Sequence, residues 1–382
     1  MTESVQQPIK SFADPRAKKY REAAREWIDA TLPRQWQSGP RPDFEEEIRR
    51  RREWDRLMAV GGYAGIVWSR EYGGRGEGPI EEYLFYQEAT RAHAPNTANA
   101  IGLDLTGPAL MEFGTAAQRA RFLPRIISAE HLWCEGLSEP NAGSDLAAVA
   151  TRAEKVEGGW RIHGQKIWTS RAQFADWIFL AVKTSDGPRR RNLSVMMVDM
   201  HQPGIVVQPI NQISEGAEFN QVFFDGAFAA DDQLLGVENK GWEIIGLSGF
   251  RQRRRIFDAV RWYVLIGETL DQLAHCVAAS QWRYRQQLID LQARAAALRW
   301  HMMRTTELMA QDADWLHSTQ VLRLEWSELW QAITECGFAT GCESHEDYWR
   351  FRYLDTRSVT IHGGTAQIQR NLIADRVLEL PR

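Results

Sequence analysis

LSEPNAGSD at Leu137–Asp145 and GQKIWTS at Gly164–Ser170 lie in the one part of this chain that reads with a period of two. Between them Val149, Thr151 and Ala153 alternate, residues 157–159 (Glu-Gly-Gly) supply a turn, and Trp160 and Ile162 resume the alternation. That pattern sends successive side chains to opposite faces of a pleated strand. Further on, WIFLAV at 177–182, SVMMVDM at 194–200 and IVVQPI at 205–210 are short apolar runs bounded by Asp, Gly and Pro. Several short strands at this spacing predict a small antiparallel β barrel or sandwich over residues 131–240.

On both sides the period becomes helical. Tyr20, Ala23, Ala24, Trp27 and Ile28 recur at three and four residues until Pro33 stops the run, and Phe44, Ile48, Trp54, Leu57 and Met58 continue in a charged second helix. The glycines at 73, 74, 76 and 78 have no strand before them and lack dinucleotide-loop spacing, so they read as an interhelical turn. After Gly241 the helical period returns, with Leu288, Leu291, Ala295 and Leu298 on one stripe and further helices over 321–340 and 345–360. Helix, then strand, then helix divides the chain into an α-helical domain at 1–130, a β domain at 131–240 and a second α-helical domain at 241–382.

Composition excludes some classes of function. A net charge of -4 leaves no electrostatic footprint for nucleic acid. No apolar run is long enough to span a bilayer, and the N-terminus has no apolar leader core, so a cytoplasmic setting is expected. The four cysteines, at 134, 276, 336 and 342, include no CxxC pair. Cys336 and Cys342 lie near His345, but at no common zinc spacing; free buried thiols, and no metal, are expected.

Two more segments share the order and spacing of the first pair: EFNQVFFDGAF at 218–228 with LLGVENKGW at 234–242, and IHGGTAQIQRNLIADRVLELPR at 361–382. With these four elements the chain resembles the acyl-CoA dehydrogenases from about residue 20 onward, and within them the actinobacterial acyl-CoA and steroid-side-chain enzymes. The resemblance implies an α+β multidomain plan: an N-terminal helical domain, a central antiparallel β barrel or sandwich, and a C-terminal four-helix bundle. It also implies FAD as cofactor, an acyl thioester (on CoA or on a carrier protein) as substrate, and oligomerisation as a homodimer, homotetramer or heteromer. By the same resemblance, Glu135, Leu137 and Ser138 match positions at the flavin pyrimidine edge, and Gly143 and Ser144 match positions that approach and donate to phosphate. Trp168 matches the ring packed on the flavin, Thr169 the group near N5, and Thr365 and Gln367 contacts to the dinucleotide.

The departures concern the base. In the resembled family a glutamate takes the α-proton while hydride leaves the β-carbon for the flavin. One of its two usual places is Gly363 here; the other is Arg251, Gln252 or Arg253, depending on alignment, with no acid between Glu243 and Asp258. Asp258, His362 and Glu243 are the remaining candidates, each with a structural alternative: an ion pair, a packed ring and a favourable helix-start charge. The arginine that in the family reaches the partner's FAD corresponds to Gln281, with Arg283 or Arg285 as substitutes. Three functions follow: an FAD-dependent oxidoreductase of acyl thioesters with an atypical base, a base-less partner subunit of a heteromeric enzyme, or a flavin enzyme of other chemistry such as oxygen activation.

Overall fold

A computed structural model describes residues 7–37, 42–246, 248–277, 282–342 and 345–381, with only the backbone described at 37 and 248–259. Among the described residues, six α-helices precede the strands: α1 (Pro15–Thr31), α2 (Arg34–Gln37), α3 (Phe44–Val60), α4 (Pro79–Arg91), α5 (Gly107–Phe113) and α6 (Ala116–Ile127). Eight strands follow: β1 (Trp133–Gly136), β2 (Arg152–Val156), β3 (Gly159–Lys166), β4 (Trp177–Lys183), β5 (Leu193–Asp199), β6 (Ile205–Ile210), β7 (Phe219–Ala230) and β8 (Leu234–Leu235). Helices return as α7 (Gly241–Gly246), α8 (Ser248–Cys276), α9 (Trp282–Ala310), α10 (Leu316–Ala339), α11 (Glu346–Asp355) and α12 (Ala366–Arg376). The helix–strand–helix order expected from periodicity is the order observed. Internal packing divides the chain into two compact units, one of residues 1–39, 76–94 and 252–382, the other of residues 40–75 and 95–251.

The first unit is helical. Asp14 caps α1 by accepting the Arg16 N–H, and Pro15 starts the helix where a missing N–H costs nothing. Ile28 of α1, Leu84 of α4, Leu298 of α9, and Leu329 and Trp330 of α10 are buried, and all but Ile28 belong to the main core of this unit. Trp349 of α11 rests where a side chain at Gly337 would stand, so that glycine is required by the closeness of ring and helix.

The second unit is built on one sheet, ordered β6-β7-β3-β2-β4-β5-β8, with β1 beside β4. The antiparallel expectation needs one correction. β1 runs parallel to β4, and β2 meets β4 in parallel at Arg152 and Lys183. β1 enters from α6 rather than through a hairpin, and the long excursion through β2 and β3 before β4 allows a parallel neighbour. The apolar runs at β4 and β5 have a simple cause: both faces are covered. Trp177, Phe179 and Ala181 join a core with α5 and α6, whereas Ile178, Leu180 and Val182 join a second core with β3 and β7.

Candidate cofactor site

The loop after β1 and the end of β3 are tied together by their own residues. The Ile167 N–H donates to the Ser138 carbonyl at 3.0 Å. Glu139 and Ala142 exchange two backbone bonds of 3.0 Å, closing a tight turn over Pro140 and Asn141. The Lys166 ammonium is fully buried and donates to Glu139 Oε1 at 2.8 Å and to the Leu137 carbonyl at 3.2 Å. Glu139 also accepts the Ala150 N–H at 2.7 Å and the Thr151 N–H at 2.9 Å. Burial pulls Lys166 down to about 8, with Glu139 opposing the fall. Burial acts against the Glu139 carboxylate too, but Lys166 and the hydrogen bonds hold it below its ordinary range. Complete burial of Lys166 outweighs the pull of its partner, and at neutral pH both groups are charged.

Past this pair the backbone is strained. Trp168 has φ +63° and Arg171 φ +58°, left-handed values that non-glycine residues seldom adopt. The segment is held from the far side by β7. Thr169 and Asn220 exchange backbone bonds of 3.1 Å, and Asn220 Nδ2 donates to the Thr169 carbonyl at 2.9 Å. The outcome is an indole standing 57% exposed, with Phe219 edge-on at 6.1 Å, next to a buried Thr169 hydroxyl that has no hydrogen-bond partner among the described residues.

A buried hydroxyl left unsatisfied is costly and calls for a partner. Beside an open aromatic face, a flat ring system carrying heteroatoms supplies both needs. At Gly143 nothing lies within 4 Å of the place a Cβ would occupy. Its backbone is therefore open to a ligand rather than pressed against the chain. Ser144 is exposed on the same loop, Ser138 is half-buried, and Glu135 is half-buried on β1. Asp145 pairs with Arg189.

Thr365, Gln367, Gly363 and His362 belong to the other unit, and Glu243 to the same unit as Trp168. Thr365 caps α12, its hydroxyl accepting the Ile368 N–H at 3.1 Å, and Gln367 is exposed two residues on. Gly363 and Gly364 have φ +66° and +96°. His362 is exposed, and its carbonyl accepts Arg323 Nη2 at 2.5 Å. Glu243 lies in the first turn of α7, exposed and bonded by Lys240 at 2.8 Å. The side chains of Arg251, Gln252, Arg253 and Asp258, and the whole of Gln281, lie outside the described residues.

Three family models cover the chain in order: acyl-CoA dehydrogenase N-terminal domain at residues 14–130, middle domain at 134–227 and C-terminal domain at 239–378. This chain belongs to the acyl-CoA dehydrogenase family. It is 38% identical over 348 residues to acyl-CoA dehydrogenase IpdE1 of Mycobacterium tuberculosis, covering 88% of this chain and 90% of that one. Acyl-CoA dehydrogenase FadE34 of the same organism is 34% identical over 332 residues, 85% of this chain and 46% of its own length. The ChsE4-ChsE5 complex from Mycobacterium tuberculosis shares the fold, with a TM-score of 0.80 and 23% identity over 96% of this chain and 98% of that one. Acyl-CoA dehydrogenases are FAD-dependent oxidoreductases, and the open indole and unpartnered hydroxyl fit that cofactor. Among the described residues no helix is long and apolar enough to cross a membrane.

Sequence reading missed the Glu139–Lys166 pair and Asn220. A signal for Lys166 was present. It falls in the inward register of Trp160 and Ile162, where a lysine must find a buried partner. No such signal exists for Asn220, whose role depends on how β7 meets the loop after β3.

Proposed function

We propose that this chain is an FAD-binding oxidoreductase subunit for acyl thioesters that carries no carboxylate at either of the family's usual places for the base and so abstracts the substrate proton slowly. The unpartnered Thr169 hydroxyl beside the exposed face of Trp168 carries the cofactor part of this reading. When bound, the flavin supplies a two-electron acceptor for hydride. The second unit supplies the wall and donors: Trp168 against the ring, Thr169 and Ser138 at its polar edges, and Gly143 and Ser144 at phosphate. Glu139 and Lys166 position the two loops. For the base, Gly363 offers no side chain. The test is anaerobic addition of short, medium and bulky acyl-CoAs to the flavin-loaded protein; slow bleaching supports the reading and rapid bleaching overturns its second half.

One observation favours a partner subunit. Trp282, Ile289 and Trp300 of α9 are 77%, 57% and 63% exposed. Steps from 282 to 289 and from 289 to 300 return to one side of a helix turning every ~3.6 residues, so they form a single apolar stripe. We infer that this stripe is covered by another subunit, either a second copy or a homologue. Light scattering of the isolated chain tests this, and a stable monomer retaining FAD would count against it.

A further inference from the structure

Away from the loops around Trp168, the helical unit brings two thiols and an imidazole together. Cys276 is the last residue of α8, and Cys342 and His345 flank the entry to α11. Their Sγ and ring-nitrogen atoms all lie within 4.8 Å of one another. His345 Nδ1 is 3.8 Å from Cys342 Sγ and 4.0 Å from Cys276 Sγ. The His345 N–H donates to the Cys342 carbonyl at 2.9 Å.

We propose that Cys276, Cys342 and His345 form a binding site for a soft divalent cation of the Zn²⁺ type. In a tetrahedral zinc site, bonds of about 2.3 Å to sulfur and about 2.0 Å to nitrogen put those ligands about 3.5 Å apart. The two sulfur-to-nitrogen separations exceed that by roughly half an ångström or less, and the two sulfurs lie within 4.8 Å of each other, within reach of side-chain rotation. A cation satisfies all three groups at once, with a water as fourth ligand. On binding, each thiol loses its proton to solvent and the sulfur lone pairs form the metal bonds, with no change of oxidation state.

The surroundings suit a thiolate. The Trp349 indole N–H donates to Cys276 Sγ at 3.4 Å, and Trp349 is itself fixed in the core against Gly337. All three ligands are half-buried, which leaves an entry path. The cation would join the end of α8 to the start of α11, elements far apart in sequence. Cys336 stands apart, its thiol facing Gln287 Oε1 at 3.6 Å, and serves as the control.

The experiment uses the full chain, chelator-stripped and kept reduced with a phosphine, titrated with Co²⁺. The expected result is about one cobalt per chain with a sulfur-to-metal charge-transfer band, displaced by Zn²⁺. Cys276→Ser, Cys342→Ser and His345→Ala should each weaken Co²⁺ binding by at least about tenfold, and Cys336→Ser should not. Zn²⁺ should raise the Tm of the unmodified chain and leave that of Cys276→Ser/Cys342→Ser unmoved. Absence of the band in the reduced unmodified chain overturns the proposal, and that reading needs no variant to fold. An equal band in the double variant, or equal loss in Cys336→Ser, overturns it as well.

Discussion

Lys166 Nζ lies 2.8 Å from Glu139 Oε1, a fully buried ammonium against an almost fully buried carboxylate, and the pair joins the end of β3 to the loop after β1. The pair thereby fixes the turn at Pro140 and Asn141 to the segment that strains Trp168. Removing one charge leaves the other buried without compensation, which costs about 3–5 kcal/mol. Lys166→Met should therefore destabilise the second unit by about that much in chemical denaturation. Glu139→Gln should cost less than Lys166→Met, because glutamine keeps an acceptor for Ala150 or Thr151. The double variant should recover part of the loss, giving a coupling energy of at least ~1 kcal/mol. Additive single effects would mean the two groups do not act as a pair.

Trp168 separates a folding cost from a binding role. At φ +63° a tryptophan is strained, and glycine relieves that strain by about 1 kcal/mol. Trp168→Gly should leave the flavin-free protein as stable as the unmodified one or slightly more so. Trp168→Ala keeps the strain and loses the ring. Both variants should retain FAD more weakly, by about 1–3 kcal/mol of lost stacked area. Thermal melts of the stripped protein and flavin retention on gel filtration give the two readings. Unchanged retention in both variants would remove Trp168 from the flavin site.

How much of this was legible follows from the range of the interactions. Periodicity identified α1 through Ala24 and Ile28, and β4 and β5 through their apolar runs, because burial of a face is a local property of sequence. The parallel placement of β1 against β4 was not legible, since strand direction depends on a connection and not on the strand. Asp55 shows the same limit. It lies among the charges of α3 and reads as solvated surface, yet it is buried and accepts the Ala98 and Asn99 N–H groups. The partners of Cys276 lie beyond two intervening helices, which no spacing rule encodes. Of the candidate site, the ties within and between the motif segments, such as Lys166 to Glu139, were not legible.

Asp55 gives a pH dependence with a definite sign. Burial raises its carboxyl to about 7, against the hydrogen bonds from Thr97, Asn99 and Ala98 and the charge of Arg171. The folded pKa lies above the unfolded value of about 3.9, so the folded state binds this proton more tightly. The contribution is fully present below about pH 4 and is lost as pH rises to about 7. The stability difference between the unmodified chain and Asp55→Asn should therefore shift against the unmodified chain across that window, by at most about 1.4 kcal/mol per pH unit, and be flat above it. Urea denaturation of both proteins at several pH values measures this, and parallel profiles would show that Asp55 ionises normally.

The last prediction concerns the missing base. A positioned general base contributes about 10²–10⁴-fold, so the unmodified protein should bleach its flavin with acyl-CoAs slower than a base-bearing variant by a factor in that range. Where the carboxylate is restored decides the outcome. Gly363 has φ +66°, and a residue with a Cβ is strained there by about 1–2 kcal/mol. Gly363→Glu should therefore fail to restore the reaction, because relief of that strain moves the backbone and its carboxylate with it. Positions 251, 252 and 253 lie within α8, where glutamate is an ordinary helix former. One of Arg251→Glu, Gln252→Glu or Arg253→Glu should raise the bleaching rate, and the successful one fixes the alignment that the sequence leaves open. Rapid bleaching by the unmodified protein would defeat this prediction and turn attention to Asp258, His362 and Glu243. Of these, Glu243 is the weakest candidate, because it is exposed and already bonded by Lys240. The discriminating variants would then be Asp258→Asn and His362→Gln, each of which removes a proton acceptor while keeping the size of the side chain.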